Sequence, residues 1–494
     1  MVKYLFFDDL LCISTFILSL GLITSIVFYF FFYNSQAQIL IRNDLAYNSI
    51  KKVLSISLCI SFFIYVLYLY QYISIYNNTT AHYVFNKYKI VPAKTNIMDL
   101  NITLDLFGLI LLFLAYFVGF LSFLALDNRL FWKNIKYAIA INSFILIVYL
   151  YITVNNILLF FLFYEFLLVP SFLIVYFISP SRRAIQASLY FLIWTQIGSI
   201  LVLTALSYIV TLVGSSSFLT IRMFHFTKSE VAWLYFLLFT GFGFKVPIWP
   251  FHYWLTKTHV EAPAGFSMFL SGFLVKTAVY GFYKLTNLLG GPINTTIYST
   301  ICIMGVIDSS LKMWGQTDLK KLVAYGTIQE MNFIYLTFCW GDTNALISGI
   351  LFSITHGALS ALMFFLVDCL QRRFNSRSVV EISGVLQINP SLGISIMLMC
   401  FIYAGLPGTL KFTSEFYVFC GLFEISPVLS FFLFFASNVI GLIGFSKCWF
   451  DVVFGMNLKN HKTSPFDLTI KELYIIYSCI AFLFLFLFLA NVVF

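Results

Sequence analysis

Six ionisable side chains stand inside stretches that are otherwise apolar: Glu165, Lys245, Lys276, Glu330, His356 and Glu415, with Lys411 four residues before the last. A charge at bilayer depth is costly, about 2.5–3.5 kcal/mol for Lys or Asp on insertion scales. Such groups persist where they pair, line a watery cavity or carry ions. Carboxylate, ammonium and imidazole all exchange protons, so the chemistry they offer together is proton handling. At about 1.5 Å per residue, Glu165, Lys245, Lys276 and His356 fall within a turn or two of mid-depth. They form a row parallel to the membrane plane, not a path straight through it. Each group also has a plainer reading. A lysine can snorkel, Glu165 and Lys245 can be a structural ion pair, and His356 can be a hydrogen-bonded core histidine. Glu415 can simply neutralise Lys411 one helical turn away.

The elements that must position these groups are unusual. Lys245 lies in Gly241-Phe-Gly-Phe-Lys-Val-Pro247, with Pro250 following, and Lys276 lies on the next apolar segment. Proline removes a backbone donor and clashes with the preceding turn, so the spacing predicts a helix broken near Gly241–Pro247. A second break is expected at Gly405-Leu-Pro-Gly-Thr-Leu-Lys411, just before Glu415. Broken helices survive in lipid only where protein or a watery cavity satisfies the freed groups. The two breaks fall five spans apart, which predicts a five-helix repeat. An odd repeat inverts its second copy, and inverted repeats with discontinuous helices characterise secondary transporters. Two unrelated kinks are the alternative.

Composition sets the frame. The chain has 494 residues, 61% hydrophobic and 10% charged, with mean hydropathy +0.93, outside the range of soluble globular domains. Apolar runs long enough to cross a core of about 30 Å predict an all-α polytopic membrane protein of about 14 transmembrane helices. The expectation is a single transmembrane domain over 1–494. Helices 4–8 (about 137–287) form the first five-helix repeat, helices 9–13 (about 293–450) the inverted second, and helices 7 and 12 are broken. The connections after odd-numbered spans carry most of the Lys and Arg, among them Arg182, Arg183, Lys320, Lys321, Arg372, Arg373 and Arg377. By the positive-inside rule they face the compartment of synthesis. This bias accounts for the +9 net charge and calls for no nucleic-acid partner. Asp8 and Asp9 are acids where a transit peptide avoids them, which fits synthesis inside the organelle. Phe 60 and Tyr 30 point to AT-rich codons and an organellar genome. There is no Gly-x-Gly-x-x-Gly after a strand and no P-loop, hence no nucleotide site. Nine scattered cysteines and six histidines show no iron–sulfur, haem or metal spacing.

The run Lys245-Val-Pro-Ile-Trp-Pro-Phe-His252-Tyr-Trp-Leu-Thr-Lys-Thr-His259-Val-Glu-Ala-Pro263 resembles the signature of the antiporter-like subunits of respiratory complex I. The form His-Val-Glu-Ala-Pro is similar to the subunit 4 group. Tyr164-Glu165 with Pro170 resembles the fifth-helix glutamate motif, and Leu189–Ser199 the sixth helix. Gln316–Tyr325 resembles the entry to the tenth helix; Thr355–Ser360 and Asn375-Ser-Arg377 resemble the eleventh and its exit. The likeness covers about residues 100–455. It implies fourteen helices in inverted repeats and proton pumping within a mitochondrial inner-membrane assembly. No redox centre is expected in this chain, with NADH, FMN, iron–sulfur clusters and ubiquinone on other subunits. The implied partners are the other membrane subunits of complex I, especially the neighbouring antiporter-like ones, and lipids.

By matching motifs, Glu165 and Lys245 become the coupling pair and Lys276 the central proton carrier. His356 becomes the connecting relay and Glu415 the terminal group. Glu330, in Ile328-Gln-Glu-Met331, departs from the family, whose members often carry histidine there; under the repeat it would be the counterpart of Glu165. Two competing readings are a subunit of a stand-alone multi-subunit cation/proton antiporter and a structural membrane scaffold. Salt-dependent transport by the isolated protein would favour the first. Function surviving neutral replacement of Lys245 and Lys276 would favour the second.

Overall fold

A computed structural model describes residues 13–23, 53–66, 91–93, 102–125, 131–179, 181–290, 295–340, 343–455 and 466–493. Asp8 and Asp9 lie outside the described residues. Among the described residues the regular structure is helical except for two three-residue strands, β1 (Val91–Ala93) and β2 (Ile102–Leu104), which pair antiparallel. The sequence reading gave no strand there. Six described helices are long and apolar enough to cross a membrane, so this is a polytopic helical membrane protein.

The chain divides into two compact units, one made of residues up to 180 with Leu206–Phe224, the other of Ser181–Ala205 with His225–Phe494. In the first unit, α1 (Ile13–Ile23) and α2 (Val53–Val66) precede α3 (Leu106–Leu124) and α4 (Phe131–Thr153). The Tyr65 hydroxyl donates to the Leu109 carbonyl, and its ring stacks on Tyr116 at 5.4 Å. α4 and the next helix are joined tightly through Asn155-Asn156. Asn156 accepts from the Leu158 amide at 2.9 Å, capping α5 (Ile157–Phe166). The same side chain donates to Ser216 Oγ at 3.0 Å. α5 and α6 (Leu168–Ile178) meet at Leu167, giving one apolar span over Ile157–Ile178. Next comes α7 (Arg182–Val213), whose two ends belong to different units, and then α8 (Phe218–Met223).

The second unit continues with α9 (Lys228–Lys245) and α10 (Tyr253–Glu261). α11 (Ala264–Phe269) runs through a π-helical turn, Leu270–Leu274, into α12 (Val275–Leu288). Then follow α13 (Thr295–Met313), α14 (Leu319–Trp340), α15 (Thr343–Phe374) and the short α16 (Val385–Ile388). α17 (Pro390–Tyr403) and α18 (Leu410–Ile425) flank the second break. α19 (Pro427–Phe434), a π-helical segment (Phe435–Gly441) and α20 (Leu442–Phe454) form one span before α21 (Ile470–Val493). The apolar windows of Ala264–Leu288 and Ala345–Phe374 are buried throughout, whereas that of Arg182–Val213 is only 33% buried. The helices carrying Lys276 and His356 are thus walled by protein, and α7 keeps an outer apolar face suited to lipid.

Both expected breaks exist, but the first begins later than the glycines suggest. Gly241 and Gly243 remain helical, and the helix ends at Lys245. Gly241 serves close packing instead: a Cβ there would meet Val202 Cγ2 at 2.8 Å and the Gly198 carbonyl at 3.0 Å. The prolines, not the glycines, interrupt the ladder. The carbonyls freed by the break are satisfied by side chains, as burial demands. Trp254 Nε1 donates to the Phe244 carbonyl at 2.8 Å, and Asn332 Nδ2 to the Pro247 carbonyl at 3.4 Å. In the second break Gly405 and Gly408 take φ of +79° and +89°, a region that glycine alone enters without steric cost. Thr409 then caps α18, accepting from the Phe412 amide.

Candidate functional site: a buried row of ion pairs

Glu330 sits near the middle of α14 and is 4% exposed. Its two carboxylate oxygens face different partners. Oε2 lies 2.9 Å from His356 Nδ1, contributed by α15, and Oε1 accepts from Lys411 Nζ at 2.5 Å, contributed by α18. Lys411 Nζ also reaches Glu415 Oε1 at 2.9 Å, one turn further along α18. The second break therefore delivers both members of this last pair. The helix restarts at Leu410, so Lys411 and Glu415 project from its first two turns. The Glu415 Oε2 atom comes within 3.3 Å of where a Cβ on Gly405 would stand. The ammonium of Lys411 lies over the rings of Phe352 (4.5 Å) and Tyr403 (5.4 Å), which hold a cation by their quadrupoles.

The result is a continuous buried chain, His356–Glu330–Lys411–Glu415, spanning three helices. A buried charge is tolerated when paired and costly when alone. Here a single cation is shared between two carboxylates, with an imidazole at one end. Every link is within reach of one proton transfer. The first three side chains are 1–5% exposed and that of Glu415, at the other end, is 19% exposed.

Lys276 is fully buried, two residues beyond the π-helical turn. A π turn loosens the backbone ladder and is frequent at functional sites. Lys276 Nζ donates to the carbonyl of Ser271 within that turn. Lys276 interacts electrostatically with both His356 and Glu330. Lys245 is 3% exposed at the C-terminus of α9, where the helix dipole favours a cation. Glu165 follows the buried Tyr164 near the end of α5 and is half-buried; it belongs to the first unit and Lys245 to the second. Of the six residues singled out, His356, Glu330 and Glu415 are brought together in one chain, and Lys411 proves to be its centre. Sequence reading undervalued Lys411, because its link to Glu330 crosses 81 residues and only the i, i+4 neighbour was legible. The pairing of Lys411 with Glu415 at i, i+4 is present but is one link of a longer chain. His259 lies fully buried with its ring stacked on Phe364 at 4.5 Å.

A helical membrane protein with interrupted spans around a buried row of acids and bases is of the ion-translocating, antiporter-like class. A family model described as "NADH:quinone oxidoreductase/Mrp antiporter, TM" matches residues 154–441. The chain is 47% identical over 382 residues to NADH-ubiquinone oxidoreductase chain 4 of Paramecium tetraurelia, covering 77% of this chain and 81% of that protein. Its fold is similar to a chain of respiratory complex I from Thermus thermophilus, with TM-score 0.76, 18% identity, and coverage of 96% of this chain and 94% of that one. It is also similar to a chain of the membrane-bound sulfane sulfur reductase, an archaeal respiratory membrane complex, with TM-score 0.80, 16% identity, and coverage of 100% and 96%. The chain belongs to the NADH:quinone oxidoreductase/Mrp antiporter membrane family and, within it, to the NADH-ubiquinone oxidoreductase chain 4 group.

Proposed function

We propose that this chain moves protons through the row Lys276–His356–Glu330–Lys411–Glu415 as the antiporter-like, proton-translocating subunit of respiratory complex I. The observation that carries the assignment of residues is Glu330, whose two oxygens join His356 and Lys411 at 2.9 and 2.5 Å in a buried setting. A carboxylate with an imidazole on one oxygen and an ammonium on the other can take a proton from one side and lose it to the other. Glu415, the most exposed member, is the release end. Glu165 and Lys245 act as the coupling pair: while the acid is near, Lys245 keeps its charge and repels positive charge from Lys276; when the two part, Lys276 can load. The driving energy comes from electron transfer in other subunits, where NADH, FMN, the iron–sulfur clusters and ubiquinone reside. This chain supplies no redox centre.

The architecture we propose with this reading is fourteen helices in a single transmembrane domain over 1–494. Helices 4–8, about 137–287, and the inverted helices 9–13, about 293–450, each contain one broken helix, the seventh and the twelfth. The placement of a π-helical segment in both Leu270–Leu274 and Phe435–Gly441, the last helix of each repeat, favours that pairing. Its setting is the mitochondrial inner membrane, among the neighbouring antiporter-like subunits and lipids. The reading is tested with Glu330→Gln in assembled complex. The amide keeps shape and leaves Lys411 balanced by Glu415, so assembly is expected to hold while protons pumped per NADH oxidised fall. An unchanged ratio would remove Glu330 from the path.

A further inference from the structure

A second cluster of titratable groups lies apart from the row. His252 follows the first break, seven residues past Lys245, and is 7% exposed. Its Nε2 is 3.2 Å from Lys312 Nζ and 3.4 Å from Asp308 Oδ2, both on α13. Lys312 and Asp308 are themselves paired at 2.7 Å, with side chains 41% and 28% exposed. An i, i+4 pair on an exposed helix face contributes little to stability, so stability gives little reason to seat a nearly buried imidazole against it. The exposures are graded. Lys312 is the penultimate residue of α13 and Asp308 lies one turn further in, about 6 Å along the axis. His252 is the least exposed of the three. The Lys312 ammonium can only donate, so Nε2 accepts and the ring proton sits on Nδ1; this tautomer is assigned from the network. Nδ1 is buried and has no hydrogen-bond partner among the described residues, so the proton it carries points into the protein. The end of α13 leads into the connection that continues to Lys320 and Lys321, on the Lys/Arg-rich side.

We propose that Asp308, held by Lys312, is the mouth through which protons from the Lys/Arg-rich side enter this subunit, and that His252 passes them inward. Asp308 takes a proton from water and hands it to Nε2. The imidazolium so formed releases the proton on Nδ1 toward the interior. One proton has then entered and one has left the ring, which resets by turning over. Lys312 holds the Asp308 carboxylate in place beside Nε2. The proposal rests on the reading that the Glu330 row carries protons, and its test separates the two.

In inner-membrane vesicles with assembled complex, protons pumped per NADH oxidised are compared for Asp308→Asn, Asp308→Glu, His252→Gln and Glu330→Gln. Asp308→Asn and His252→Gln are expected to lower the ratio to the value given by Glu330→Gln, and Asp308→Glu to restore it. A wild-type ratio in Asp308→Asn beside a lowered one in Glu330→Gln overturns the entrance and leaves the row standing. Wild-type ratios in all four overturn both. If Asp308→Asn does not assemble, His252→Gln carries the same comparison. Failure of both to assemble while Asp308→Glu assembles normally also overturns the entrance, by assigning the cluster to structure.

Discussion

At the scale of single residues, Lys411 is the group on which the site depends most. It neutralises two carboxylates, at 2.5 and 2.9 Å. Removing Glu330 or Glu415 leaves a balanced pair, whereas removing Lys411 leaves two buried acids facing each other without a cation. Breaking a buried pair costs about 3–5 kcal/mol because the partner is stranded. Lys411→Met should therefore lower the amount of assembled complex far more than Glu415→Gln, as measured by native electrophoresis of solubilised membranes. Equal assembly of the two variants would mean that the shared-cation geometry does not hold in the membrane. Glu330 shows what a sequence hides. Taken alone it departs from the family habit of histidine at that place; in the fold it is the bridge. Its neighbours come from α15 and α18, and nothing in the local spacing of α14 announces either.

At the scale of elements, the breaks were legible because proline and glycine act locally, and the repair of the breaks was not. Trp254 and Asn332 satisfy the Phe244 and Pro247 carbonyls, and a tryptophan or asparagine in an apolar run carries no mark of that duty. The role of Gly241 was hidden for a related reason: a glycine that permits close packing and one that ends a helix look alike until the neighbour, here Gly198 and Val202, is known. α9 ends at Lys245, and α5 carries Glu165 one residue before its end. If these two ends act as the coupling pair, Glu165→Gln with Lys245→Met should assemble better than either single change. The gain should fall below the 3–5 kcal/mol of a fully buried pair, since Glu165 is half-buried. Strictly additive defects across the double-mutant cycle would show that the pair does not exist.

At the scale of the whole molecule, the membrane class and the two broken spans could be read from hydropathy and from Gly/Pro punctuation, because the bilayer imposes both. The π-helical turn beneath Lys276 could not, since a π turn arises from packing and leaves no composition signature. That turn matters to the account. The Ser271 carbonyl within it receives the Lys276 ammonium, the first member of the proposed row that ends at Glu415. The central claim is that protons cross this subunit by way of that row. It is tested most directly at Lys276, which is fully buried and in which methionine can replace the bulk of the side chain while removing the proton carrier. The measurement is the ratio of protons translocated to NADH oxidised in membranes containing assembled Lys276→Met complex. The account predicts a ratio lowered by this subunit's share at normal assembly. A wild-type ratio at normal assembly would contradict it.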